Sequence, residues 1–208
     1  MPDMPKRSNR LLLILMVVMM VAAAVTVVVM WYHVESGPRD QVTGAAPAIG
    51  GPFSLIDQTG APVTDQTYKG RYRLIYFGYT FCPDACPTEL QVMAQAVEAL
   101  GADGARVQPI FVTIDPERDT SERLAGYVPL FDKNLVGLTG SPAAIAQVAK
   151  EYKVYYAKAE QPDGGPYMMN HSSFVYLMDP EGRFLTVFPS DMDGDKMASE
   201  IRRYMKAS

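Results

Sequence analysis

The only two cysteines of the 208-residue chain, Cys82 and Cys86, lie four residues apart in one short segment. The segment follows an apolar run, 73–79, with the length and the β-branched and aromatic residues of a buried strand. It precedes apolar residues at three- and four-residue intervals, which predict an amphipathic helix with Pro87 in its first turn. The sequence therefore predicts a strand–loop–helix unit. Its two thiols, with Cα atoms roughly 6 Å apart, can form a disulfide or bind one soft metal ion.

Further segments of strand and helix length continue this pattern through residues 49–208. Strands are predicted at 53–57, 62–64, 107–114, 135–138, 154–158, 173–178 and 184–188. Helices are predicted to begin near 119 or 120, at Pro142 after a Ser141 cap, and before Met197. A strand–helix–strand order requires parallel pairing, and the late hairpin adds antiparallel strands. We therefore predict an α/β fold, a thioredoxin-like mixed sheet flanked by helices.

The first thirty residues have a different composition. An unbroken run of twenty uncharged, mostly apolar residues, 11–30, is long enough to cross about 30 Å of hydrocarbon as a helix. Lys6, Arg7 and Arg10 precede it, which predicts that residues 1–10 stay in the cytoplasm and that the rest lies outside. The alternative is a signal peptide cleaved near the alanines at 22–24.

Residues 31–48 have the polar, Gly- and Pro-containing composition of a linker, and about 160 residues remain for one domain. The chain lacks an Arg- and Ser-rich presequence, so we expect a single-pass protein of a bacterial inner membrane, with 49–208 in the periplasm. The net charge is −4, and the absence of a basic cluster outside the N-terminus argues against nucleic-acid binding.

The chain offers two histidines as further metal ligands, His33 and His171. His33 follows the predicted anchor and is typical of an interfacial residue. His171 lies between a turn-rich stretch and a predicted strand, so we expect it in a loop, where functional groups are common. Two thiolates and one imidazole suit Cu(I) and can also hold Cu(II), while zinc is an alternative on ligand type alone.

The block 76–90, with the sequence YFGYTFCPDACPTEL, resembles the copper-site motif of the Sco/SenC family, the copper chaperones for assembly of cytochrome c oxidase. The resemblance continues at 53–60, 113–120, 137–140 and 171–182, and so covers roughly 49–208. It implies a thioredoxin-like domain that binds copper through Cys82, Cys86 and His171. The implied client is the binuclear copper A centre of cytochrome c oxidase subunit II, and a second copper chaperone or a thioredoxin-like reductant are further candidate partners.

One position departs from the family pattern, because Asn170 stands where an acidic residue usually precedes the histidine. A change there can alter how the histidine is oriented or how the client docks without removing a ligand. Asp84, between the cysteines, is the other candidate for contact with the ligands, although a loop Asp often only stabilises its turn. Met168 and Met169 are candidate thioether donors or packing residues. Asp119 is expected to cap the following helix.

Two functions are compatible with these residues. The first is a metallochaperone, which is not an enzyme. The second is a thiol–disulfide oxidoreductase in which Cys82 and Cys86 form a redox-active disulfide and keep the copper-site cysteines of the oxidase reduced. Three residues between the cysteines, rather than the two of thioredoxins, weigh against the second function. A purely structural disulfide is disfavoured because the loop it would close is too short to stabilise the fold much.

Overall fold

The computed structural model describes residues 7–36, 49–162 and 164–207. The chain divides into two units, Met1–Pro47 and Ala48–Ser208. Helix α1 (Arg7–Ser36) belongs to the first unit, and the apolar side chains along it are exposed from position 13 to 21. In the part of the chain that is described, no helix is long and apolar enough to cross a membrane, and the transmembrane segment 11–30 stays a prediction from the sequence. Residues 37–48 of the predicted linker lie outside the described ranges.

Within the described residues of the second unit, the sheets contain nine strands: β1 (Ser54–Asp57), β2 (Pro62–Thr64), β3 (Tyr72–Gly78), β4 (Val107–Thr113), β5 (Val136–Thr139), β6 (Tyr156–Ala159), β7 (Met168–His171), β8 (Phe174–Met178) and β9 (Phe184–Pro189). Seven of them form one sheet in the order β2-β1-β5-β4-β3-β8-β9, and β6 pairs with β7 in a separate two-stranded sheet. The pairs β3–β4 and β4–β5 are parallel, and the other pairs are antiparallel. The predicted mixed sheet is confirmed.

The α-helices that accompany this sheet are α2 (Ala85–Ala99), α3 (Ser121–Tyr127), α4 (Pro142–Glu151) and α5 (Gly194–Ala207). Ser141 caps α4 as predicted, accepting a hydrogen bond from the amide of Ala144, and Pro142 occupies the first position. Helix α2 packs against α5. Short 3₁₀ helices at Gly101–Arg106 and Val128–Leu130 complete the connections.

Strands β3 and β4 form the centre of the core, because all seven residues of each are buried. Continuous burial is typical of strands that are covered on both faces, and it explains why both runs are mostly apolar, with Arg73, Gln108 and Thr113 as their buried polar residues. Leu74, Phe77 and Phe111 are among the fully buried side chains. Removing this apolar surface from water is the main source of the domain's stability.

The pairing of β3 with β8 determines where the site lies. These strands are antiparallel, with Tyr76 opposite Val175, so the C-terminal end of β3 meets the N-terminal end of β8. The cysteine loop leaves the first of these ends, and His171 precedes the second. Residues almost ninety positions apart in sequence therefore meet at this end of the two strands.

The prediction that His171 lies in a loop is wrong, because it is the last residue of β7. This strand pairs with β6, which begins two residues later than predicted, and places His171 opposite Tyr156. Four residues of mixed polarity give no clear alternation in the sequence. The strand exists because its backbone groups find partners in β6 across a turn-rich connection.

The expected capping role of Asp119 is also wrong. Thr120 is the N-cap of α3, and its hydroxyl accepts a hydrogen bond from the amide of Arg123. The Asp119 carboxylate is instead fully buried and accepts hydrogen bonds from the Thr80 amide at 2.9 Å and from the hydroxyls of Thr80 and Thr113 at 2.6 Å each. It therefore attaches the cysteine loop, residues 79–84 between β3 and α2, to the end of β4.

We predict that Asp119→Ala lowers the free energy of unfolding by about 3 kcal/mol, because three buried donors lose a charged acceptor. Urea denaturation of the full-length protein measures this loss. Asp103→Ala, which removes only an exposed ion pair with Arg106, is the matched control and is expected to change the free energy by less than about 1 kcal/mol. Equal stability of both variants would show that the buried carboxylate does not hold the loop.

Candidate metal centre

The two cysteines lie at the junction of the loop after β3 and helix α2, as predicted. Both are free thiols; Cys82 is partly buried in the loop, and Cys86 is fully buried in the first turn of α2. The Cys86 amide donates a hydrogen bond to Cys82 Sγ at 3.3 Å. Unpaired amides at a helix N-terminus favour negative charge, so this position stabilises a thiolate.

His171 brings its imidazole to the same point. Its Nε2 atom lies 3.7 Å from Cys86 Sγ, and its Nδ1 lies 2.9 Å from the carbonyl oxygen of Ser172. A carbonyl only accepts, so Nδ1 carries the proton and donates this bond. Nε2 then keeps its lone pair toward the cysteines, which is the tautomer that a metal ligand requires.

The spacing of these two donor atoms fits a shared metal ion. Metal bonds of roughly 2.3 Å to sulfur and 2.0–2.1 Å to nitrogen, at angles between tetrahedral and trigonal, separate sulfur from nitrogen by about 3.6–3.8 Å. The observed separation of Cys86 Sγ and His171 Nε2 is 3.7 Å. Cys82 contacts the Cys86 thiol, but within the described ranges no three Cys, His, Asp or Glu side chains already form a ready-made metal cluster.

The two thiols have different pKa values because their surroundings differ. The pKa of Cys82 is lowered to about 5, mainly because its sulfur accepts a hydrogen bond from the Cys86 thiol. Partial burial opposes this effect, and hydrogen bonds from the amides of Cys86 and Asp84 add to it. The hydrogen bond that Cys86 gives to Cys82, together with burial, raises the pKa of Cys86 well above its usual value. At neutral pH, Cys82 is therefore the thiolate and Cys86 the thiol.

Two tyrosines at the end of β3 and beyond it surround the imidazole. The Tyr76 hydroxyl donates to Cys86 Sγ at 3.6 Å and lies 3.2 Å from the Ser173 hydroxyl. The rings of Tyr76 and Tyr79 meet His171 edge-on, with centroids 6.2 and 6.0 Å away. The sequence pattern marks both only as strand residues; their position directly before the cysteine loop is the signal that points to the site.

Close packing at the cysteine requires a glycine in β3. A Cβ atom at Gly78 would lie 2.9 Å from Cys86 Sγ and 2.9 Å from the Tyr76 ring. Real side-chain contacts are not that short, so a larger residue at this position would displace one of the groups around the thiol.

The residues proposed to contact the ligands are both exposed. Asp84 is the N-cap of α2, where its side chain makes no capping bond and its amide is hydrogen-bonded to the Cys82 thiolate. Asn170 alternates with His171 along β7 and so points to the exposed face. Met169 is buried in the core, as the packing interpretation expects, and Met168 is partly buried against it. Any influence of Asn170 or the Asp84 carboxylate on a metal stays a prediction.

Comparison with known proteins supports the resemblance noted above. The SCO1/SenC family model matches residues 41–206. The chain belongs to the SCO1/SenC family. The SCO1 homolog 1 of Arabidopsis thaliana mitochondria is 44% identical over 164 residues, covering 76% of this chain and 49% of the relative. The human mitochondrial SCO1 homolog is 42% identical over 162 residues, covering 77% and 54%. The chain thus spans about half the length of these curated relatives.

Solved Sco structures share the fold. Copper-bound ScoI of Bradyrhizobium japonicum has a TM-score of 0.70 at 46% identity and covers 76% of this chain and 99% of that one. Copper-bound ScoI of Arabidopsis thaliana has a TM-score of 0.74 at 41% identity, covering 77% and 100%. BsSco, a member of the Sco family of cytochrome c oxidase assembly proteins in which a disulfide switch was identified, has a TM-score of 0.60 at 26% identity, covering 78% and 96%. The predicted thioredoxin-like mixed sheet flanked by helices is confirmed.

We predict that Cys82 is alkylated by iodoacetamide with a pH midpoint near 5, since only the thiolate reacts and its pKa is about 5. Its reaction rate should be near its maximum at pH 7 and should fall as the pH is lowered through 5. Mass spectrometry of the labelled peptides separates it from Cys86, which is expected to react more slowly throughout.

The control is Cys86→Ala, which removes the thiol hydrogen bond and should shift the Cys82 midpoint to higher pH. A Cys82 midpoint between 8 and 9 in the parent protein, the range of an ordinary cysteine, would contradict this account.

Proposed function

We propose that this protein is a copper chaperone that binds one copper ion through Cys82, Cys86 and His171. The observation that supports it most directly is the 3.7 Å separation of Cys86 Sγ and His171 Nε2, with the histidine in the ligand tautomer. Copper is present in the solved structures of two Sco relatives. Two thiolates and one imidazole form a soft, three-donor set that suits Cu(I) and can expand to hold Cu(II).

Binding requires little rearrangement of charge in the site. Cys82 is ionised at neutral pH, and the bond from His171 Nδ1 to the Ser172 carbonyl turns the Nε2 atom toward the cysteines. Cys86 must release its proton when copper binds, so binding becomes tighter as the pH rises. The Cys82 side chain moves from its hydrogen bonds with Cys86 to complete the three-ligand site.

A carrier must also release its metal. Cys82 is partly exposed and Cys86 is fully buried, so the site opens on the Cys82 side. A ligand of the partner protein can approach from that side and bind the copper ion while Cys86 and His171 still hold it. The copper ion is then shared between the two proteins before these two ligands dissociate. Three ligands leave a position for this exchange, which a closed four-ligand site would not.

The proposed client is the binuclear copper A centre of cytochrome c oxidase subunit II. Support comes from the family, since BsSco is described as a cytochrome c oxidase assembly protein. A second copper chaperone as donor, or a thioredoxin-like reductant that keeps the cysteine pair reduced, would complete the cycle. The protein would then act by binding and transfer, without turnover of a substrate.

We predict that the reduced full-length protein binds one equivalent of Cu(I) tightly in an anaerobic competition titration. Cys82→Ser and Cys86→Ser should each abolish tight binding. His171→Ala should weaken it by more than the roughly 10- to 100-fold that loss of an outer-shell partner causes, because a direct ligand is removed.

The matched control is His33→Ala, which changes the other histidine of the chain and should leave the affinity unchanged. Full affinity in His171→Ala would eliminate the three-ligand site. Weak binding in the parent protein would eliminate the copper carrier as a whole.

A second function, thiol–disulfide exchange, is favoured by the difference between the two thiols. Cys82 is partly exposed and has a pKa near 5, as an attacking thiolate requires, while Cys86 is buried directly behind it. The disulfide switch identified in BsSco supports redox chemistry in this family. Such exchange would keep the cysteines of a client copper site reduced.

The exchange proceeds in two balanced steps. Cys82 thiolate attacks one sulfur of the client disulfide, forming a mixed disulfide and releasing one client thiolate. Cys86 then loses its proton and attacks Cys82, which forms the Cys82–Cys86 disulfide and releases the second client thiolate. Two electrons pass from the protein to the client, and a thioredoxin-like dithiol restores the pair.

For this second function we predict that Cys86→Ser accumulates a mixed disulfide with a cystine-containing peptide, attached at Cys82, because the resolving thiol is absent. Non-reducing electrophoresis and mass spectrometry identify the adduct. His171→Ala should still exchange with the peptide, since the chemistry does not use the imidazole. Equal trapping by Cys82→Ser through Cys86 would contradict the assigned order of attack.

We further propose the location of the domain. Residues 1–10 would lie in the cytoplasm, 11–30 would hold the protein in a bacterial inner membrane as a single pass, and 31–48 would link it to the domain at 49–208 in the periplasm. Support comes from the exposed apolar side chains of α1 and from the basic residues before them. Contact with lipid would remove that apolar surface from water.

A further inference from the structure

Arg118 touches both chain segments that carry the proposed ligands. It lies in the loop after β4, and its side chain is about three-quarters buried. The contacts of this guanidinium extend in two directions, toward the cysteine loop and toward the hairpin formed by β6 and β7.

On the cysteine side, the guanidinium stacks on aromatic rings. The Arg118 Cζ atom lies 4.7 Å from the centroid of the Phe81 ring, and Phe81 is the residue before Cys82. It also lies 5.8 Å from the centroid of Tyr79, whose ring meets His171 edge-on at 6.0 Å. Cation–π contacts of this kind are attractive at these distances.

On the histidine side, the contact is closer and includes a hydrogen bond. Arg118 Cζ lies 3.8 Å from the centroid of the Tyr167 ring, and Nη1 donates to the Tyr167 carbonyl oxygen at 2.9 Å. Tyr167 is the residue before β7, the strand that ends in His171. The ammonium group of Lys158, on β6, lies 4.6 Å from the centroid of the same ring.

The hairpin depends on such side-chain contacts for its position. Strands β6 and β7 form a two-stranded sheet that has no ladder to the seven-stranded sheet. An isolated two-stranded hairpin is at best marginally stable in water. Packing of Met169 attaches the hairpin to the core, and the Arg118–Tyr167 contact attaches its entry point.

Asp115 orients the guanidinium. It is almost fully buried, it pairs with Arg118 through Nε, and its Oδ1 accepts a hydrogen bond from the Tyr167 hydroxyl at 2.9 Å. The Arg118 Nη2 atom is buried without a hydrogen-bond partner, so stacking and the two bonded nitrogens define the placement of the group. A planar, fork-shaped cation is required for this combination, and Lys does not provide it.

We propose that Arg118 is a positioning residue that clamps the His171 hairpin against the cysteine loop and so sets the distance between His171 Nε2 and Cys86 Sγ. This inference rests on the proposed three-ligand copper site. Arg118 itself does not bind the metal. It acts by holding Tyr79, whose ring meets the imidazole edge-on, and Tyr167, which directly precedes the strand that ends in His171.

The test compares Arg118→Ala and Arg118→Lys with the parent in the full-length protein. Both variants should bind Cu(I) about 10- to 100-fold more weakly, the loss that follows removal of a group that orients a ligand. In a His171→Ala background, Arg118→Ala should change the affinity by less than about twofold, because the residue acts through the histidine. Arg183→Ala is the matched control; it removes an Arg paired with a buried Asp beyond the other end of β8 and should leave copper binding unchanged.

A second readout does not depend on metal. In the reduced, metal-free protein, nuclear Overhauser contacts between the ring protons of His171 and Tyr79 should be present in the parent and in Arg183→Ala and lost in Arg118→Ala. Failure of the parent to bind copper would overturn the proposed function, and these ring contacts would still decide the role of Arg118. Unchanged ring contacts in Arg118→Ala, full affinity in Arg118→Lys, or equal losses with and without His171 would overturn the clamp.

Discussion

Antiparallel hydrogen bonding between β3 and β8 decides where the groups of the site lie. It aligns the C-terminal end of β3 with the N-terminal end of β8, so Cys86 and His171 meet although they are 85 positions apart in sequence. Parallel pairing of these two strands would place them at opposite ends of the sheet. The β3–α2–β4 unit builds one half of the site, and the β6–β7 hairpin delivers the other half to it.

Buried polar groups then hold the loop in place at some cost in desolvation. The Asp119 carboxylate is fully buried, and three hydrogen bonds from threonine residues compensate it. The Tyr76 hydroxyl is likewise buried and finds its partners in Cys86 and Ser173. Apolar side chains would avoid this desolvation cost, but they would not fix the direction of the cysteine loop as these hydrogen bonds do. A metal site requires such precision, because its ligand atoms must be placed to within about 0.5 Å.

Local patterns explain why half of the site was predictable. The cysteine loop lies between a strongly apolar strand and an amphipathic helix, and Pro87 marks the helix start, so its geometry follows from neighbouring residues. The sequence does not predict strand β7, because its four residues acquire strand structure only by pairing with β6. The sequence predicts Asp119 as a helix cap because it stands next to Thr120, the actual cap, and neighbouring residues do not show that its carboxylate is buried. The clamp by Arg118 depends on rings from two distant segments, and a single sequence contains no sign of that meeting.

X-ray absorption spectroscopy at the copper edge of the reduced full-length protein, loaded with one equivalent of Cu(I), tests the three-ligand site directly. We predict a first shell of two sulfur atoms and one nitrogen atom, with the nitrogen shell lost in His171→Ala. A first shell of sulfur alone in the parent protein, unchanged by that substitution, would contradict the three-ligand site. The contact between Cys86 and His171 would then serve packing rather than metal binding.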